Sequence, residues 1–172
     1  RQRFDVRRMH LAELVTRPLE DNAGFAQSMG VRFTTPEPLS EVDVLVDPGR
    51  FLQVMANLLS NASKFSPGGA QIEVRAHASQ GRVRVSVRDF GKGIPPEFQP
   101  RLFQKFSQAD SSDSRRLAGT GLGLAISRAI VERLGGNIGF DTGPGGTTFY
   151  FDLPDADSIA LATLALSQSK VS

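Results

Sequence analysis

Residues 57–65 read Asn57-Leu58-Leu59-Ser60-Asn61-Ala62-Ser63-Lys64-Phe65. On a helix, Asn57, Asn61 and Lys64 fall on one face by the i, i+4, i+7 spacing. Leu58, Leu59 and Ala62 continue an apolar face that begins at Phe51, Leu52 and Met55. Upstream, Asp47 has the chemistry of an N-cap and Pro48 that of a first helical residue. A helix from Pro48 to near Phe65 is therefore predicted. A polar stripe within it reads either as a solvated face or as a ligand site. An amide oxygen is a hard ligand suited to Mg²⁺, and a lysine nearby suits phosphate.

Working outward, the stretch from Val6 to Met29 has mostly helical spacing, which Pro18 should kink or split. Val31 to Thr34 is a short strand candidate, and Val42, Val44 and Val46 alternate as a second. Beyond the helix, Ile72, Val74 and Ala76 alternate, then Val83, Val85 and Val87, with Ser79-Gln80-Gly81 between them. That pattern predicts a β-hairpin. Helical periodicity returns from Leu122 to Leu134, ending at Gly135-Gly136. Ile138–Phe140 and Thr147–Leu153 read as closing strands, joined by the turn Thr142-Gly143-Pro144-Gly145-Gly146. About three helices and paired strands predict an α+β fold, a two-layer sandwich with helices on one face of a mixed, mostly antiparallel sheet. The reading sets one domain over 1–154 and a tail over 155–172, either a weak helix or disordered.

The chain has 172 residues, 40% hydrophobic and 22% charged, enough to bury a core without staples. It has no cysteine, which excludes thiol chemistry, thiolate zinc sites and disulfides. A net charge of +2 gives no argument for nucleic acid. No apolar run is long enough for a membrane span.

Two further stretches bear on chemistry. Asp89-Phe90-Gly91-Lys92-Gly93-Ile94 follows the second hairpin strand. It reads as an Asp-initiated turn, or as a carboxylate that accepts from an adenine amino group while glycines let backbone approach the ring. Gly119-Thr120-Gly121-Leu122-Gly123-Leu124 opens a helix and offers free N–H groups to an anion. Between them lies a long loop rich in Gly, Pro and polar residues, holding Lys105, Arg115 and Arg116. No P-loop signature is present, and Asp89-Phe90-Gly91 lacks the catalytic loop that would make it a protein-kinase magnesium motif.

Taken in order, these stretches resemble the conserved boxes of the ATPase superfamily of gyrase, heat-shock chaperones, mismatch-repair proteins and histidine kinases, in its histidine-kinase branch. The resemblance covers residues 4–154. Residues 57–65 resemble its N box, 89–94 the first glycine box, Leu102-Phe103-Gln104-Lys105-Phe106 the F box, 119–124 the second glycine box and Gly145-Gly146-Thr147 a short last one. The resemblance implies ATP and Mg²⁺ as ligands, with Asp89 on the adenine amino group and Thr147 assisting. It implies Asn61 on the metal, Asn57 and Lys64 at the phosphates, and Phe65, Gly91, Gly93 and Ile94 around the base. It further implies a mobile lid over 95–118, with Lys105 and Arg115 or Arg116 reaching the γ-phosphate. Gly119, Gly121 and Gly123 would hinge the lid and contact phosphate, with Thr120, Leu122 and Leu124 of the same box at the nucleotide, while Phe103 and Phe106 seat the lid. Asn57, Lys64 and Lys105 are the residues implied in catalysis.

Position 57 separates the branches. The gyrase and chaperone branch has a glutamate there to activate water; this chain has asparagine, so hydrolysis should be slow. The implied acceptor is a histidine on a separate dimerisation domain, with a response regulator downstream. His10 and His77 lie outside any phosphoacceptor pattern, so negligible autophosphorylation of this chain is expected. A monomeric, cytoplasmic module without nucleic-acid or membrane contact is the expectation. The alternative is a non-catalytic nucleotide-sensing module, which intact boxes argue against.

Overall fold

A computed structural model describes residues 3–104 and 122–170. The predicted helix forms as α3 (Pro48–Phe65), where the Asp47 carboxylate accepts from Arg50 N–H at 3.1 Å and Pro48 opens the first turn. Its buried stripe of Phe51, Val54, Met55, Leu58, Leu59 and Ala62 supplies the centre of the core. The stripe is covered by a five-stranded sheet. In chain order its strands are β2 (Arg32–Thr34), β4 (Gln71–Ser79), β5 (Arg82–Arg88), β6 (Asn137–Gly143) and β7 (Gly146–Pro154). Their spatial order is β2-β4-β5-β7-β6, with β2 parallel to β4 and every other pairing antiparallel. The inward residues of β4 and β5 are the Ile, Val and Ala of the alternation, all buried. Phe149, Phe151 and Leu153 continue that layer on β7, and Phe151 meets Phe51 edge-on at 5.6 Å. This is the α+β two-layer architecture expected.

The β4–β5 hairpin closes through Gln80 and Gly81, both at positive φ (53° and 79°), between the paired Ser79 and Arg82. Two consecutive positive φ values define the turn whose twist matches flanking strands. The β6–β7 connection is tighter than expected. Pairing runs to Gly143 and Gly146, so the loop is Pro144-Gly145 alone.

Five α-helices stand among the described residues, not about three. α1 (Leu11–Asp21) carries Pro18 inside it, and the break comes four residues later. There the Asn22 N–H and side-chain amide both donate to Pro18 O, and α2 (Ala23–Ser28) follows. α4 (Leu122–Arg133) follows the undescribed stretch, and α5 (Ala156–Ser169) follows β7. The helical run also starts later than Val6. Arg7–His10 form β1, antiparallel to β3 (Asp43–Val46) in a separate two-stranded sheet. Among the described residues no helix is long and apolar enough to cross a membrane.

Candidate functional site

A cavity of about 220 Å³ opens where the C-terminal half of α3, the end of β5, the start of α4 and β7 meet. From α3 come Asn61, Lys64 and Phe65, one turn apart or less; of the three residues that spacing put on one face, Asn61 and Lys64 line the cavity. From the segment after β5 come Asp89, Gly91, Lys92, Gly93 and Ile94. Leu124 of α4, and Thr147 and Phe149 of β7, complete the wall, with Leu102 beside them. Nine of the predicted site residues thus share one cavity: Asn61, Lys64, Phe65, Asp89, Gly91, Gly93, Ile94, Leu124 and Thr147.

Asp89 sits at the strand end with 4% exposure. Its own N–H donates to Thr147 O at 2.8 Å. Its Oδ1 accepts the Gly91 N–H at 3.0 Å and the Thr147 N–H at 3.1 Å. Burial pushes the carboxyl pKa above the usual range, and the two N–H donors work against that rise. The backbone must come close for this to happen. A side chain at Gly91 would put Cβ 2.5 Å from Phe65 O, and one at Gly146, at φ 139°, would collide with Asp89 O. Glycine at both positions lets the turn lie against α3 and β7 lie against β5. Ser66 adds a brace by accepting the Phe90 N–H at 3.2 Å.

Asn57 does not line the cavity. Its Nδ2 donates to Gly123 O and to Ser127 Oγ, both at 3.1 Å, joining α3 to the first turns of α4. Gly123 therefore meets Asn57 through its carbonyl. Leu122 begins α4. Lys105, Phe106, Arg115, Arg116, Gly119, Thr120 and Gly121 lie outside the described residues, as does most of the expected lid. Of the lid's first part, a 3₁₀ turn spans Gln99–Arg101, and Phe103 packs against Phe140 and Phe149. His10 ends β1 with Nδ1 3.2 Å from Asp43 Oδ1, and His77 lies on β4.

Sequence reasoning assigned no role to Lys92, Leu102, Phe149, Thr142 or Ser127. Phe149 could have been found from its inward place in the β7 alternation, and Lys92 lies inside the quoted glycine stretch. No group of three or more His, Cys, Asp or Glu among the described residues could hold a metal.

Residues 46–157 match the family described as histidine kinase-, DNA gyrase B-, and HSP90-like ATPase. Over 119 residues the chain is 45% identical to the sensor histidine kinase AruS of Pseudomonas aeruginosa, covering 66% of this chain and 11% of AruS. Over 135 residues it is 40% identical to the signal transduction histidine-protein kinase BarA of Escherichia coli K12, covering 76% of this chain and 14% of BarA. The chain thus spans a small part of the length of these curated relatives. Full-length ShkA, solved in complex with AMPPNP, aligns with 90% of this chain and 32% of its own, with a TM-score of 0.72 and 31% identity. The family match encloses every residue that lines the cavity. The chain belongs to the histidine kinase-, DNA gyrase B-, and HSP90-like ATPase family, and resembles its sensor histidine kinases.

Proposed function

We propose that this domain binds Mg-ATP and presents the γ-phosphate to a histidine on a separate dimerisation domain of a two-component sensor kinase. The observation that carries the reading is the environment of Asp89. Oδ1 is held by two backbone N–H groups, which leaves Oδ2 for the cavity that Asp89 lines. A buried acceptor beside apolar walls from Ile94, Leu124 and Phe149 suits the amino edge of a flat base. The AMPPNP bound in the ShkA structure supports an adenine nucleotide as the occupant.

In this reading Asp89 accepts from the adenine amino group, Thr147 assists, and Phe65, Gly91, Gly93 and Ile94 enclose the base. Lys64 and Lys105 neutralise phosphate charge. The glycine stretch Gly119 to Leu124 contacts phosphate. The donor set also fits Mg²⁺: one amide oxygen, from Asn61, can join phosphate oxygens and water, and no carboxylate cage is needed. The bound ion would neutralise phosphate charge. The domain's own contribution to transfer is positioning and charge neutralisation. The acceptor imidazole nitrogen bonds to the γ-phosphorus, and the bond to the β–γ bridging oxygen breaks to release ADP. With asparagine at position 57 there is no carboxylate there to activate water, so hydrolysis stays slow. Such a module acts where ATP is held, in the cytoplasm, and passes phosphate on to a response regulator.

Titration calorimetry with Mg-ATP tests the reading. The parent chain should bind, and Asp89→Ala should lose binding; a parent that does not bind overturns the nucleotide site. Adding a histidine-bearing dimerisation domain from a relative tests the transfer. Binding without transfer would favour a nucleotide-sensing module.

A further inference from the structure

Thr142 stands at the end of β6, outside the cavity, and connects two of its walls. Its Oγ1 accepts the Ile94 N–H at 2.9 Å and lies 2.7 Å from Thr147 Oγ1. Thr147 is 3% exposed and lines the cavity. A hydroxyl has one hydrogen and two acceptor sites. If Thr147 donated to Thr142, then Thr142 would accept twice and its own hydrogen would be turned away from the contact. Thr147 would also withdraw its hydrogen from the cavity. If Thr142 donates instead, both of its bonds are used in opposite senses, and the Thr147 hydrogen is released toward the cavity it lines. The second arrangement leaves the donor where a ligand can use it.

We propose that Thr142 is a specificity-determining positioning residue: by donating to Thr147 Oγ1 it turns the Thr147 O–H into the cavity as a donor beside the Asp89 acceptor. This rests on the reading of the cavity as an adenine site. Acceptor and donor side by side match adenine, whose amino group donates and whose neighbouring ring nitrogen accepts. Guanine carries the opposite pattern, with an oxygen in place of the amino group and a protonated ring nitrogen. It would bring oxygen against the Asp89 carboxylate and N–H against O–H. A site whose polar groups are left mispaired rejects the wrong ligand strongly. Thr142 does this without touching the base.

The experiment compares Mg-ATP and Mg-GTP binding by calorimetry in the parent, Thr142→Val and Thr142→Ser. The parent should prefer ATP. Thr142→Val should lower the ATP-over-GTP preference by about tenfold, whatever its overall affinity. Thr142→Ser keeps the hydroxyl and should keep the preference. Thr142→Ala removes the hydroxyl without adding a methyl in its place, and gives the same reading if valine distorts the turn. Thr147→Val should lose the same preference, and the double variant should lose no more than either single one. A general loss of structure would weaken both nucleotides alike and leave the ratio unchanged. An unchanged ratio in Thr142→Val and Thr142→Ala, with ATP still bound, overturns this inference alone. A parent that binds neither nucleotide overturns the adenine reading beneath it.

Discussion

Burial holds the Asp89 carboxyl above the ordinary carboxylate range, and this links binding to stability at a single residue. Because its pKa is higher in the folded chain than in the unfolded one, the native state binds more protons in the intervening window. The contribution of Asp89 to stability therefore falls as pH rises from the ordinary carboxylate value through the raised one. Asp89→Asn has no proton to lose there. Thermal melts without nucleotide, run from acid to neutral pH, should show the variant gaining on the parent as pH rises; a gap independent of pH would sink the assignment. On the proposed adenine reading, the same variant would turn a donor toward the amino group of the base and should lose about tenfold or more in ATP affinity. Asn61→Ala should cost about tenfold in affinity for Mg-ATP and little for metal-free ATP. Equal losses with and without Mg²⁺ would count against a metal role. Asp89 and Asn61 were legible because their residue types are conspicuous after a strand and within an apolar helix. Thr142 was not, because a threonine in a glycine-rich turn carries no local sign that its hydroxyl braces a neighbour. Ser127 was hidden for a different reason: its partner Asn57 is 70 positions away.

At the level of elements, the Asn57 amide is a bridge between α3 and α4. α3 carries Asn61, Lys64 and Phe65 and α4 carries Leu124, so the bridge sets the distance between two cavity walls. Ser127 is fully buried, so removing either partner leaves a polar group without its mate. Asn57→Ala and Ser127→Ala should each cost about 1–3 kcal/mol. Denaturant unfolding of the double variant should show a coupling of about 1 kcal/mol; strict additivity would mean the two side chains act independently. α3 itself could be read from its cap, its proline and its stripe, because those signals are local. β1 could not. Arg7-Arg8-Met9-His10 lacks alternation, and it becomes a strand because β3 lies beside it. α1 keeps Pro18 and ends at Asn22, where side-chain and backbone bonds to Pro18 O close the turn.

At the level of the whole molecule, the two layers followed from how helical and alternating stretches group along the chain. The strand order did not, since alternation marks a face and not a partner. Nothing in Arg32–Thr34 announces that it runs parallel to β4. α5 shows a related limit. Its first turn is anchored, with Ala156 buried and Asp155 capping Ser158 N–H at 2.7 Å, while Leu161, Leu164 and Leu166 are exposed. Ending the chain after Ile159 should therefore change stability by about 0.5 kcal/mol or less. It should also reduce retention on a hydrophobic column. A large drop in melting temperature would show that the exposed part supports the core. The anchor has one more consequence. Arg8 of β1 contacts both Asp43 and Asp157, and Asp155 bridges Val44, so the first strand and the root of the last helix are neighbours. Such a fold can be cut and rejoined as a ring. A circular permutant that links residue 159 to residue 4 by a flexible segment, with new ends between the exposed Glu37 and Pro38, should fold with its core and cavity intact.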